Sequence, residues 1–488
     1  MESLNNRMPA ALAVVLIAWL LSGCATNPVT GGLDFVLMSE EQEIILGDQV
    51  HRDVLKRYDV YRDAELGDLV RRIGGELAAY SHRSELDYTF TVLDSPEVNA
   101  FATPGGYVYI TRGIIAYMNN EEQLAGVLGH EIGHVTARHS VRQHSAQAIG
   151  SAAAGLLGAA VATTTGDRDA GQMVDLGLGQ FGRALVSGYG RAHELEADRL
   201  GAQYLAEVGY DPEKMLGVVG ILKDQEAFEL RRAREEGRPP RVYHGLFATH
   251  PRNDERLKEV IRAADRYRVD NPRVTDPDAF LRMLDGLDFG DSARQGILRG
   301  NAFYHGPLDL FIRFPVGWQV TNNRERLLAI GPGQDQAMVL QLVPRGDAAT
   351  PEGFLRRNFR NLRQGRPIGS HGYTAIADSQ DRSGVVTMRV AAALHGDRVL
   401  ILSGLGKNAL PDRQVLETAG SIRRLESAER GIAAGHRIRL VRAKPGDTFA
   451  GLARRSPLGE FAEEQLRLLN GMFPEGEPAP GQLLKIIR

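Results

Sequence analysis

The sequence predicts an α+β multidomain chain: a mainly helical region with one small sheet, then an α+β region on an antiparallel sheet, then a small βααβ module. Three observations predict it. Apolar residues recur at helical spacing around 119–135 and 191–205. Beyond residue 300 the pattern changes to short apolar runs that read as strands. Between the two, Asn271-Pro272, Asp276-Pro277, Gly286, Gly290 and Gly296 punctuate a boundary over 270–300.

The first element is a leader. Arg7 supplies a positive start, and Pro9 to Leu21 is an apolar run too short for a membrane span. Leu21-Ser22-Gly23-Cys24 resembles a bacterial lipobox, which implies a signal peptide over 1–23 and a lipidated Cys24. Cys24 is the only cysteine of the 488 residues, which excludes an internal disulfide and a Cys-rich zinc site. Ala25, rather than Asp, implies sorting to the outer membrane, with the body facing the periplasm on a lipid tether. A net charge of −3, with basic residues such as Arg231, Arg232 and Arg234 interleaved with Glu235 and Glu236, gives no sign of a nucleic-acid partner.

Next comes His130-Glu131-Ile132-Gly133-His134. Asn119 and Asn120 are candidate N-caps, Glu121 and Glu122 suit the positive helix end, and Leu124, Val127, Leu128, Ile132 and Val135 form an apolar stripe. On a helix, His130 and His134 share one face and can grip one zinc ion, with Glu131 beside the open side as a general base. A catalytic zinc needs a third protein ligand. The segment His193-Glu194-Leu195-Glu196-Ala197-Asp198 is the best supplier: Glu194 and Asp198 share a helical face, so Glu194 can bind the ion while Asp198 accepts the free N–H of a ligand histidine.

HEIGH followed some 60 residues later by ELEADRLG resembles the HtpX/BepA-type zinc metallopeptidases, which include the CAAX prenyl proteases. The resemblance covers about residues 35–265 and implies a gluzincin-type domain over 24–285 that uses one zinc ion. It makes His130, His134 and Glu194 the ligands and Glu131 the base. The E-x-x-x-D spacing selects Glu194 over Glu196, and Asp198 is the motif aspartate, beside the metal or donating a proton. Asn99-Ala100-Phe101 and Pro104-Gly105-Gly106-Tyr107 resemble the family's NAF…PGG element. This implies substrate binding at Asn99, Ala100, Gly106 and Tyr107, where an edge strand beside the zinc pairs with extended substrate; Tyr107 to Thr111 alternates as a strand. Thr249-His250-Pro251 resembles the family's T-H-P element, making His250 an oxyanion donor or a regulatory ligand.

Ala146 to Ala162 is apolar and rich in small residues; it reads as a helical hairpin between the two metal-binding helices, marginal for spanning a membrane. In the α+β domain, 297–425, strands are expected over 308–315, 338–343, 385–390 and 398–402, and helices over 351–362 and 412–423; the FPVGW run resembles PsbP/Mog-type domains. Residues 437–488 carry a PGDT turn, an Asn470-Gly471 pair and a Pro480-Gly481-Gln482 turn, resembling a LysM module and implying peptidoglycan as a partner. The function implied is a zinc endopeptidase of the bacterial envelope acting on misfolded or stalled proteins. The alternative is an envelope chaperone or wall-attached scaffold with a silenced site.

Overall fold

Asn120 starts the helix that carries His130 and His134. Its side chain accepts from the backbone N–H of Gln123, and Glu121 and Glu122 occupy the positive first turn. The computed structural model describes residues 24–146, 189–238, 240, 254–323, 326–369, 371–381 and 384–488. They divide into two compact units, one within 1–55, 60–287 and 438–488, the other within 56–59 and 288–437.

In the first unit the main helices are α1 (Glu40–Arg57), α2 (Ala64–Ala79), α3 (Arg112–Tyr117), α4 (Glu121–Thr136), α5 (Arg191–Val208) and α6 (Met215–Glu235). The sequence predicts an amphipathic α4. The structure buries every residue from Leu124 to Thr136, so α4 is a core helix enclosed on all sides. It packs against α5 through small residues. A Cβ placed on Gly133 would lie 2.9 Å from the Ala197 carbonyl oxygen, and one on Gly201 would lie 3.0 Å from the His130 nitrogen. Glycine inside a helix costs about 1 kcal/mol relative to alanine. Here it lets two backbones approach closely enough for side chains of both helices to meet.

A short hairpin of β1 (Cys24–Thr26) and β2 (Leu33–Phe35) precedes α1. A three-stranded sheet follows α2, formed by β3 (Thr89–Leu93), β4 (Ala100–Thr103) and β5 (Tyr107–Thr111) in the order β3-β5-β4. Strand β5 runs parallel to β3 and antiparallel to β4, with Ala100 opposite Ile110 and Thr103 opposite Tyr107. The sequence takes Tyr107–Thr111 for the substrate-pairing edge. It is instead the central strand, with both sides occupied, and the edge next to α4 is β4. The Pro104-Gly105-Gly106 turn joins them, with Gly105 at φ 78° and Gly106 at φ 88°, left-handed values that favour glycine.

Residues 438–488 belong to this same unit. Antiparallel strands β6 (His436–Arg442) and β7 (Leu483–Ile487) flank two helices, Phe449–Ala453 and Ala462–Leu469, giving the βααβ order. Thr448 caps the first helix by accepting from Gly451 N. Lys485, fully buried, points out of β7 and donates to the carbonyls of Ala116 and Met118 at 2.7 and 2.6 Å. Gln465 donates to the Tyr117 hydroxyl. The module is thus anchored on the chain immediately before α4.

The second unit carries a seven-stranded antiparallel sheet with Arg398–Gly406 near its centre, and a three-stranded sheet over 297–313. Alternation along Arg398–Gly406 sends Leu400 and Leu402 to one core with Val415, and Val399 and Ile401 to another with Phe354 and Leu355, so a helix covers each face. Phe314 and Trp318 of the FPVGW run are core residues. The expected helix 351–362 stops at Asn358, and Arg360–Ile368 is an edge strand, exposed, bulged and rich in arginine. Charge and bulges on an outer strand discourage pairing with other chains. The second expected helix spans Asp412–Gly420.

Candidate metal centre

Position i and i+4 on α4 bring the ring nitrogens Nε2 of His130 and His134 to 3.0 Å. From α5, Glu194 places Oε2 3.6 Å from His130 Nε2 and Oε1 3.4 Å from His134 Nε2. All three residues are buried, and among the described residues they form a group able to hold a metal ion. The fit can be tested on lengths. Zinc bonds of about 2.0–2.1 Å at tetrahedral angles put neighbouring donors about 3.3–3.4 Å apart. The three separations fall around that value, and a His, His, carboxylate set is a zinc donor set.

Glu131 follows His130 on α4 and is wholly buried. Asp198, one turn beyond Glu194, lies 2.9 Å from His130 Nδ1 through its Oδ1. The α5 carboxylates Glu194 and Asp198 are therefore interior groups rather than a solvated helix face, because the glycine-mediated approach of α4 covers them.

Several neighbours are not among the residues the sequence singles out. His139 presents Nδ1 to His134 Nδ1 at 2.8 Å and Nε2 to Glu196 Oε2 at 3.1 Å. Arg142 reaches the same carboxylate at 3.1 Å. The hydrogen bond from His139 draws the Glu196 carboxyl down to about 2 against the opposing effect of burial, and the His139 and Arg142 charges add to it. Burial holds His139 below its ordinary value, and Glu196 opposes that. Tyr189 stacks on His134 with centroids 4.0 Å apart and shares a hydrogen bond with Ser140. His193 stacks on His139 at 4.3 Å, and burial lowers its pKa to about 4, helped by His139 and Arg142. The five-residue step from His134 to His139 was the one available sequence signal.

The four residues expected to bind substrate are not gathered at one place. Asn99 and Ala100 lie at the start of β4, opposite Thr111 and Ile110. Gly106 and Tyr107 lie at the turn end. Gly106 packs on the backbone at Asp87. The Tyr107 hydroxyl donates to Asp48 of α1, which pushes the phenol up to about 12, and its ring stacks on His51. Cys24 opens β1, whereas the leader, the hairpin expected at 146–162 beyond Ala146, and His250 with its T-H-P element lie outside the described residues.

A buried H-E-x-x-H helix whose third donor arrives on a second helix is the donor arrangement of zinc metallopeptidases. Residues 66–264, which contain every donor, match the model of Peptidase family M48. The beta-barrel assembly-enhancing protease of Escherichia coli (strain K12) is 31% identical over 273 residues, covering 55% of this chain and 53% of the relative. The protein of the same name from Yersinia pestis is 29% identical over 231 residues, covering 47% and 45%. Mitochondrial metalloendopeptidase OMA1 of Schizosaccharomyces pombe is 32% identical over 143 residues, covering 29% and 40%. The chain spans about half the length of the first of these relatives.

Proposed function

We propose that this chain is a zinc-dependent endopeptidase of the bacterial cell envelope that hydrolyses peptide bonds of misfolded or stalled envelope proteins. The observation that carries the reading is the buried triangle of His130, His134 and Glu194 at zinc-like separations, with Glu131 on the same helix. When bound, zinc would polarise the scissile carbonyl and acidify the attacking water. Glu131 takes the proton from that water and returns it to the leaving amine. Asp198, its Oδ1 2.9 Å from His130 Nδ1, would take the N–H of that ring and hold it. His250 is proposed as an oxyanion donor or regulatory ligand.

Edge strand β4 is the surface to which an extended substrate would add. The buried side-chain oxygen of Asn99 has no hydrogen-bond partner among the described residues and suits a substrate N–H. Cys24 would tether the chain to the outer membrane through lipid, and the 437–488 module, LysM-like in its turns, would contact peptidoglycan. No helix among the described residues is long and apolar enough to cross a membrane. The name of the Escherichia coli relative, a beta-barrel assembly-enhancing protease, supports an envelope substrate. The test is cleavage of an unfolded outer-membrane β-barrel protein by the mature chain. Chelator-sensitive cleavage that disappears in Glu131→Gln is expected; equal, chelator-insensitive cleavage by both would overturn the reading.

A further inference from the structure

The two histidine donors are backed by different chemistry. Behind His130 stands a carboxylate, Asp198, at 2.9 Å. Behind His134 stands a second imidazole, His139, at 2.8 Å between the two Nδ1 atoms, and behind that the carboxylate of Glu196 at 3.1 Å. Proton placement along this second chain is constrained. A neutral imidazole carries one N–H and one lone pair. If His134 Nε2 gives its lone pair to a metal, its proton must be on Nδ1. That N–H faces His139 Nδ1, which must then be bare, so His139 carries its proton on Nε2 and donates it to Glu196. The opposite arrangement would put a proton on His134 Nε2, where the metal belongs. It would also set the His139 Nε2 lone pair against the carboxylate.

We propose that His139, backed by Glu196, is the positioning residue of the metal donor His134: it fixes the tautomer that leaves Nε2 free to bind zinc and holds the ring in place. The inference rests on His134 being a zinc donor. Ring packing supports it from two sides. Tyr189 lies flat on His134 with an interplanar angle of 19°, and His193 lies flat on His139 at 20°, so neither ring can rotate without losing a stack. Arg142 bonds Glu196 and lies 3.5 Å from Asp34, which keeps the terminal acceptor in register. His139 touches neither water nor substrate in this role; it acts through His134. Outer partners of metal-bound histidines orient the ring and raise its basicity, and losing one costs about 10–100-fold in metal affinity.

The test measures zinc dissociation constants by chelator competition for the full mature chain and its variants His139→Leu and His139→Asn, together with thermal midpoints of the zinc-free proteins. The asparagine side-chain oxygen can stand where His139 Nδ1 accepts; leucine offers no acceptor. His139→Leu is expected to weaken zinc binding by about 10–100-fold, with His139→Asn close to wild type and the zinc-free midpoints alike. Wild-type affinity in His139→Leu, or equal weakening in both variants, would overturn the relay. Failure of the wild-type chain to bind zinc would instead sink the metal reading itself. Should His139→Leu not fold, nitrogen-15 shifts of the histidine rings in the zinc-loaded wild type read the tautomers directly. Protons on Nδ1 of His134 and Nε2 of His139 are expected; a proton on Nδ1 of His139 would overturn the proposal.

Discussion

Gly133 of α4 lies so close to Ala197 of α5 that a Cβ on the glycine would stand 2.9 Å from the Ala197 carbonyl oxygen and 3.1 Å from its Cα. The contact is with backbone, so it cannot be relieved by turning a side chain. Because Glu194 sits one turn before Ala197 and His134 is next to Gly133, the spacing of the two helices at this point sets the spacing of the donors.

Gly133→Ala therefore opposes two effects. Alanine favours the helix by about 1 kcal/mol. Overpacking a filled interface costs typically about 1–3 kcal/mol. The second is expected to win, with weaker zinc binding because the carboxylate is pushed from the imidazoles. Chelator competition and thermal unfolding of the variant measure both. A variant more stable than wild type with unchanged zinc affinity would contradict the close-approach argument.

Glu131→Gln tests the base separately from the ligands. The amide keeps the shape and cannot take a proton, so peptide hydrolysis should fall by about 10²–10⁴-fold, the usual worth of general acid–base catalysis. Zinc content should stay at the wild-type level, because the donors His130, His134 and Glu194 are untouched. Measuring metal by atomic absorption alongside turnover separates the two. Loss of metal together with activity would move Glu131 from proton transfer to site assembly.

The donors were legible because their chemistry is local. Two histidines four apart on a helix, and a Glu and Asp four apart on another, announce shared faces without any tertiary knowledge. The His139–Glu196 contact spans 57 residues and joins two side chains that follow no periodic pattern, so only the fold could bring them together. Strand β5 was legible as a strand from its alternation, but alternation says nothing of which strands lie on either side. Residues 360–368 were missed because they are charged and carry Gly365 and Pro367, composition that suits an exposed outer strand and resembles a loop.

Metal removal should destabilise the unit that carries the donors. A ligand that binds only the folded state stabilises it by about 4 kcal/mol at a thousandfold excess over its dissociation constant. Without the ion, a buried carboxylate and two buried imidazoles lose their common partner. A chelator should lower the midpoint of thermal unfolding of wild type and leave that of Glu194→Ala nearly unchanged. An equal drop in both would mean that the chelator acts elsewhere.

Lys485 supplies a pH-dependent test of the C-terminal docking. Burial pulls its pKa well below the ordinary 10.5. The unfolded chain then holds more protons than the folded one between the lowered value and 10.5, so the stability of the wild type rises with pH in that window. A neutral amine still has two N–H groups, one for each of the carbonyls of Ala116 and Met118. Lys485→Met leaves both carbonyls without this donor, at a cost of about 1–3 kcal/mol for an unsatisfied buried group, and it removes the titration. The variant should be the less stable protein, and the gap should widen as the pH is raised from neutrality toward 10. Urea unfolding across that range measures it. A gap that stays constant would mean that Lys485 keeps the same charge in the folded and unfolded chains, and a stabilised variant would mean that the buried amine weakens the docking of 438–488 rather than securing it.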